Sequence, residues 1–198
     1  GAVFNIQRLD FINSFYITEK PIDKLTKLCL PYLIDAKLID STSKTPSGEK
    51  FTTKTLEKIV EVYKARLKKL SDIVELTDFF FRDKLAYDKN MLKWPRPSGR
   101  GSLMASPSGK QMGDSEVKES LEYSKKFLFG AQSWELKDLE KILLEAAEKF
   151  NLEKGYPVKN RGYLLWPLRV ALSGKQASAS PFEIAEILGK EKTLKRIS

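Results

Sequence analysis

The sequence predicts an all-α fold, and three observations predict it. Apolar residues recur at steps of three and four over long windows, as on one face of a helix. Strand signals are nearly absent. Helix ends are marked, most clearly by Ser180-Pro181-Phe182-Glu183, a capping box with proline in the first helical turn.

Taken in order, residues 4 to 20 carry Phe4, Leu9, Phe11, Ile12, Phe15, Tyr16 and Ile17, an apolar set of mixed period expected to pack onto other elements. Pro21 suits the first turn of a helix with Leu25, Leu28, Cys29 and Tyr32 on one face, and Pro31 is expected to end or kink it. Residues 41 to 50, STSKTPSGEK, read as a polar loop. After Thr53, the residues Leu56, Ile59, Val60, Tyr63, Leu67, Leu70 and Val74 form a single apolar stripe on one helix. Three adjacent phenylalanines, Phe79 to Phe81, cannot share one helix face, so that run is buried on several sides or ends the helix. Residues 95 to 113, PRPSGRGSLMASPSGKQMG, hold three basic residues and no acidic one among Pro, Gly and Ser, the composition of a flexible linker outside any core. Helical spacing resumes over 114 to 129 and 135 to 151. The last stretch, 166 to 197, reads as two helices. The first ends at Ser173-Gly174, and the small polar loop Lys175 to Ser180 precedes the second.

The chain has 198 residues, 41% hydrophobic and 31% charged, a globular composition with ample apolar content for a core. Its net charge of +9 favours a polyanionic partner such as nucleic acid. It contains no histidine and one cysteine, Cys29. Zinc sites need several Cys or His ligands, and histidine triads need histidine, so neither chemistry fits. Cys29 reads as a small buried hydrophobe, and a lone cysteine suits a reducing compartment. No apolar run approaches the ~20 residues of a membrane span. The opening Gly1-Ala2-Val3-Phe4 reads as the start of a cut fragment or as a tag remnant.

No motif supplies catalysis. Gly99-Arg100-Gly101 lacks the third glycine of a dinucleotide fingerprint, and Gly109-Lys110 lacks the P-loop spacing. Ser41-Thr42-Ser43-Lys44 matches a serine-acylase pattern in letters only, without its companion motifs. Glu57 and Glu61 sit among lysines as a solvated ion-pair face.

Two arginines and one loop carry more. On an ideal helix Arg66 lies roughly 80° from the centre of the apolar stripe, at its border. There it either presents its planar head to a groove or merely snorkels. Arg169, in Leu168-Arg169-Val170-Ala171-Leu172, poses the same question, and Pro167 starts or kinks its helix. Trp166 either stacks on a base or caps the core. The loop at 175 to 180 combines small residues with the positive end of the following helix, which suits close approach by single-stranded RNA.

At these residues a family resemblance enters. "LLWPLRVALSGKQASASPFEIAEILGKEKTLKRI" resembles the C-terminal signature of bacterial-type glutamyl-tRNA synthetases, with a Pro-Leu-Arg helix, a Ser-Gly turn, a Ser/Pro-rich loop and a final basic helix. "RLDFINSFYI" and "LTDFFFRDKLAYDKNML" are similar to further stretches of that family. The resemblance covers nearly all of the chain except 95 to 113. It implies an all-α region of two helical subdomains, an anticodon-binding α-helix cage. Residues 1 to 20 would arrive from an upstream domain, 21 to 94 would form the first subdomain, 95 to 113 a basic insert and linker, and 114 to 198 the second subdomain.

By the same resemblance, Arg66, aligned through "VYKARLKKL", reads the third anticodon base. Arg169, with Lys175 and the loop Ala177, Ser178, Ala179, Ser180 and Pro181, lies against the first two. Lys58 and Trp166 complete the candidate set. The loop proline sits later than in some relatives, and the insert has no family role to carry over. The implied partner is the anticodon stem-loop of a glutamate tRNA, bound by a cytoplasmic monomer with no membrane or DNA partner. The family's His-Ile-Gly-His-like and Lys-Met-Ser-Lys-Ser-like motifs are missing, so this fragment is expected to catalyse nothing and to hold no cofactor. Its parent would be a glutamate–tRNA ligase using ATP and Mg²⁺. Two alternatives remain open on the residues alone: a helical protein–protein adaptor, and the same region of a synthetase with dual glutamate and glutamine specificity.

Overall fold

A computed structural model describes residues 5–94 and 111–198. Eight α-helices and three 3-10 turns make up its regular structure, and among the described residues the only β pairing is an isolated bridge between Lys44 and Lys50. No described helix is long and apolar enough to cross a membrane. The chain divides into two compact units, Gly1–Asp83 and Lys84–Ser198.

In the first unit, α1 (Ile6–Glu19) is capped by Asn5, whose side chain accepts from the Arg8 amide. Within the described residues its apolar set is only partly covered. Ile17 is buried, whereas Phe11, Phe15 and Tyr16 are 72%, 57% and 62% exposed, and Leu9 and Ile12 are exposed as well.

Pro21 caps α2 (Ile22–Asp35), which buries Leu25, Cys29 and Leu33. Pro31 does not end α2, which runs past it to Asp35. The hydrogen bond that proline cannot make would have gone to the carbonyl of Lys27, an exposed residue, so the loss does not leave a buried acceptor.

The polar loop that follows is built on Asp40, whose Oδ1 accepts from the amides of Thr42 (2.7 Å) and Lys44 (3.0 Å). Thr52 then caps α3 (Thr53–Tyr63) through the Thr55 amide.

The single long helix expected after Thr53 is broken. A 3-10 turn, Lys64–Arg66, follows α3, Leu67 is extended at φ −78°, ψ 121°, and α4 (Asp72–Thr77) starts afresh. Asp72 holds the break by accepting from the amides of Lys68 and Lys69, both at 3.1 Å. Tyr63 and Leu67 are both buried across the turn, so the apolar spacing reads as one stripe, although beyond it Ile73 is buried where Leu70 and Val74 are only half-buried. Phe79, Phe80 and Phe81 end the run in a 3-10 turn, Asp78–Phe81, with all three rings buried.

In the second unit, α5 (Asp114–Phe129), α6 (Leu136–Lys154), α7 (Gly162–Ser173) and α8 (Pro181–Ile197) form a bundle in which α7 contacts the other three. Nine of the twelve residues of α7 are buried, as expected of a central helix. The turn into α7 is held by the buried Asn151, whose Nδ2 donates to the carbonyls of Pro157, Val158 and Asn160.

Two boundaries differ from the sequence reading. Residues 84–94 belong with the second unit, where Leu92 and Trp94 join the core around Trp166 and Phe150. Met112 is also core, 3% exposed, with its amide donating to the Trp94 carbonyl at 2.8 Å, so the expected excursion stops short of it. The remainder of that excursion, 95–110, lies outside the described residues. Finally, α8 breaks at Gly189, whose φ of 73° is left-handed and favours a residue without Cβ.

Candidate nucleic-acid interface

Arg66 closes the 3-10 turn and is exposed. Its guanidinium carbon stands 5.4 Å from the centroid of the Tyr63 ring, which is fully buried. A buried ring is a fixed platform, and a cation resting on it keeps its planar fork of donors while losing less freedom than on a bare helix. Lys64 secures the same turn by donating from Nζ to the Lys20 carbonyl at 2.8 Å. Arg66 is therefore placed by a helix break that its own neighbours make, not by a helical border. Tyr63 is the supporting residue that the sequence reading missed, although its spacing of three from Arg66 was the available signal. Lys58 is exposed on α3 of the same unit.

The other candidates gather where α7 meets α8. Arg169 is half-buried, its guanidinium carbon 5.8 Å from the centroid of the Trp166 ring. Trp166 itself is core: it is 5% exposed, donates from Nε1 to the Met91 carbonyl at 2.8 Å and packs 5.3 Å from Trp94. It supports Arg169 from below and has no face for a base.

Ser173, which the sequence reading used only as a helix end, organises the exit from α7. Its hydroxyl lies 2.8 Å from the Arg169 carbonyl and accepts from the Lys175 amide at 3.1 Å. Gly174 then turns the chain at φ 67°. From α8, Arg196 reaches back with Nη1 2.5 Å from the Leu172 carbonyl, a cation at a helix C-terminus where the dipole favours one.

The loop beyond is less open than its small residues suggested. Ala177 is exposed and Lys175 half-buried, but Ser178, Ala179 and Pro181 are buried. Burial of these residues follows from packing, because small side chains let the loop sit directly on the bundle. Ser180 is occupied by the capping box: its amide donates to Glu183 Oε2 at 2.8 Å and its hydroxyl accepts from the Glu183 amide at 3.3 Å. The carboxylate of Glu183 thus already stands at the positive end of α8, which removes that end as a phosphate seat. Lys175, Gln176 and Ala177 remain as the loop's accessible contacts.

Among the described residues, no three Cys, Asp or Glu side chains group as a metal site. Cys29 is fully buried in the first unit, and burial pushes its thiol up to about 11, far from a nucleophile.

A family model described as an anticodon binding domain matches residues 24–198. The chain is 33% identical over 199 residues to the glutamate–tRNA ligase of Clostridium botulinum (strain Hall), covering 99% of this chain and 34% of that protein. It is 30% identical over 200 residues to glutamate–tRNA ligase 1 of Caldicellulosiruptor saccharolyticus, covering 99% and 35%. Among solved structures, a glutamate tRNA ligase from Elizabethkingia meningosepticum, in complex with its amino acid, shares the fold with a TM-score of 0.70 at 19% identity, over 100% of this chain and 32% of that one. The chain thus spans about a third of the length of the relatives it matches, over their C-terminal portion. With helical units throughout the described residues and a family match from Lys24 to its last residue, the chain belongs to the anticodon-binding domain family.

Proposed function

We propose that this chain binds the anticodon stem-loop of a glutamate tRNA, as the C-terminal part of a glutamate–tRNA ligase. The observation that carries the reading is Arg66, exposed and supported by the buried Tyr63 ring. Cytosine presents acceptors on its pairing edge, and a guanidinium offers donors in a fixed fork, so Arg66 reads the third base of the anticodon. In the second unit, Arg169, Lys175 and Ala177 are the residues offered to the first two bases, while Ser178, Ala179, Ser180 and Pro181 hold that loop in shape. Attachment of glutamate, with its ATP and Mg²⁺, belongs to the part of the parent protein outside these residues. The parent works in the cytoplasm, and this part binds its tRNA as a monomer.

The test is binding of anticodon stem-loops that differ only in the third base. A preference for cytosine that disappears in Arg66→Gln supports the reading, and equal binding of both forms by the unaltered chain defeats it. A dual glutamate and glutamine specificity would show as a weak preference from the start. The exposed aromatic face of α1 favours a second reading, a helical adaptor for another protein. Salt separates the two, because RNA binding weakens steeply with salt as phosphate counterions are released, and an apolar contact does not.

A further inference from the structure

We infer that the elbow between α1 and α2 is a second RNA contact, holding phosphates of the backbone beside the base at Arg66; this rests on the reading just given. Lys20 ends α1 and Pro21 starts α2, and the bend encloses a concavity of about 570 Å³. Lys20, Lys24 and Lys27 line it with Tyr16 and Leu28, against a single carboxylate, Glu19. Lys24 and Lys27 are exposed and three residues apart, hence neighbours on one helix face. Among the described residues, none of the three lysines is in an ion pair.

The second unit treats several of its cations differently. Lys93 pairs with Asp114 at 2.9 Å, Lys118 with Glu122 at 3.9 Å, and Lys154 with Glu119. Unpaired cations converging in a concavity raise the local potential for a polyanion.

Position selects which polyanion. The 3-10 turn carrying Arg66 packs against α1, and Lys64 of that turn donates to the Lys20 carbonyl at the elbow itself. A strand whose base reaches Arg66 carries its own phosphates past Lys20, Lys24 and Lys27. Tyr16, 62% exposed at the rim, adds a ring on which an unpaired base can stack.

The experiment uses the full 198-residue chain and its Lys24→Ala/Lys27→Ala variant. Affinity for two stem-loops, with cytosine or another third base, is measured over a series of KCl concentrations. The expected result is an equal loss for both stem-loops, with the slope of log K against log salt shallower by about two, about one per lysine. Lys24→Arg/Lys27→Arg keeps the charge and is expected to restore binding, which a packing defect would not allow. Unchanged affinity and slope in the alanine variant overturn the inference while leaving Arg66 in place. A change in the preference between the two bases overturns it too, since phosphate contacts carry no base identity. Polyglutamate bound as tightly as RNA, and lost equally in the variant, assigns the elbow to an acidic protein and overturns it. Failure of the unaltered chain to bind either stem-loop removes the proposed function itself and this inference with it.

Discussion

The hydroxyl of Ser120 on α5 donates to the carbonyl of Tyr163 on α7 at 2.8 Å, and both groups are buried. That carbonyl is the one Pro167 would bond to if it had an N–H, four residues on. Proline in a helix interior leaves such an acceptor without its partner, and a neighbouring helix here fills the gap. The bond therefore lets α7 run unbroken to Arg169 and the Ser173 turn.

Removing the hydroxyl leaves a buried acceptor unsatisfied. Ser120→Ala is expected to lower unfolding stability by about 1–3 kcal/mol in denaturant titrations. In a Pro167→Ala background an amide becomes available to Tyr163, so the same change is expected to cost less there. A double-mutant cycle reads the coupling directly, and additive losses would show that the two sites are independent.

Gly162 opens α7 against the Trp94 indole, and a Cβ at that position would drive into the ring. Two effects oppose each other in Gly162→Ala. Alanine favours a helix by up to about 1 kcal/mol, while forcing extra volume into a packed site costs about 1–3 kcal/mol. Trp94 is 9% exposed, packed on Trp166 and bonded through Nε1 to Asn160 Oδ1 at 3.2 Å, so the ring has little room to yield. The substitution is expected to lower the melting temperature and shift tryptophan emission.

For Arg66, folding and binding are expected to separate. The side chain is exposed, so Arg66→Ala is expected to change stability by no more than about 0.5 kcal/mol, as for surface positions generally. Arg66→Gln is expected to weaken binding of the cytosine stem-loop by about 1–3 kcal/mol, by analogy with arginine–base contacts in DNA readers. Calorimetric melting and stem-loop titration measure the two quantities independently. Equal losses for both third bases would make Arg66 a phosphate contact.

The loop after α2 carries an acid-sensitive lock. The backbone amide of Lys44 and the hydroxyl of Thr42 hold the Asp40 carboxyl below the usual carboxylate range. A group depressed in the folded state stabilises above its unfolded pKa and loses that contribution as pH falls through its folded value. Protection of the Thr42 and Lys44 amides, relative to their intrinsic exchange rates, is therefore expected to fall selectively as pH drops below about 4, while that of a core helix such as α3 holds. In Asp40→Ala those amides are expected to lack this protection at every pH, and pH-independent protection in the unaltered chain would exclude the lock.

Where helices begin was written locally. The Ser180 and Glu183 capping box, the helix that opens behind Pro21 and the turn at Gly174 depend on residues within a few positions of one another, so the sequence alone determined them, along with the all-α class. The candidate arginines were legible for the same reason, as cations at the edge of apolar spacing. What tertiary structure decided involves partners far apart in the chain or geometry that spacing does not encode. Spacing of three and four is kept across the 3-10 turn at Lys64–Arg66, so the stripe from Leu56 to Val74 concealed a break that Asp72 and Lys20 hold. Pro167 looked like a helix start or kink because nothing local shows that Ser120, 47 positions earlier, satisfies the freed carbonyl. Trp166 became core through Met91 and Trp94, and the loop residues Ser178, Ala179 and Pro181 turned inward, because close packing against a bundle is a property of several helices together.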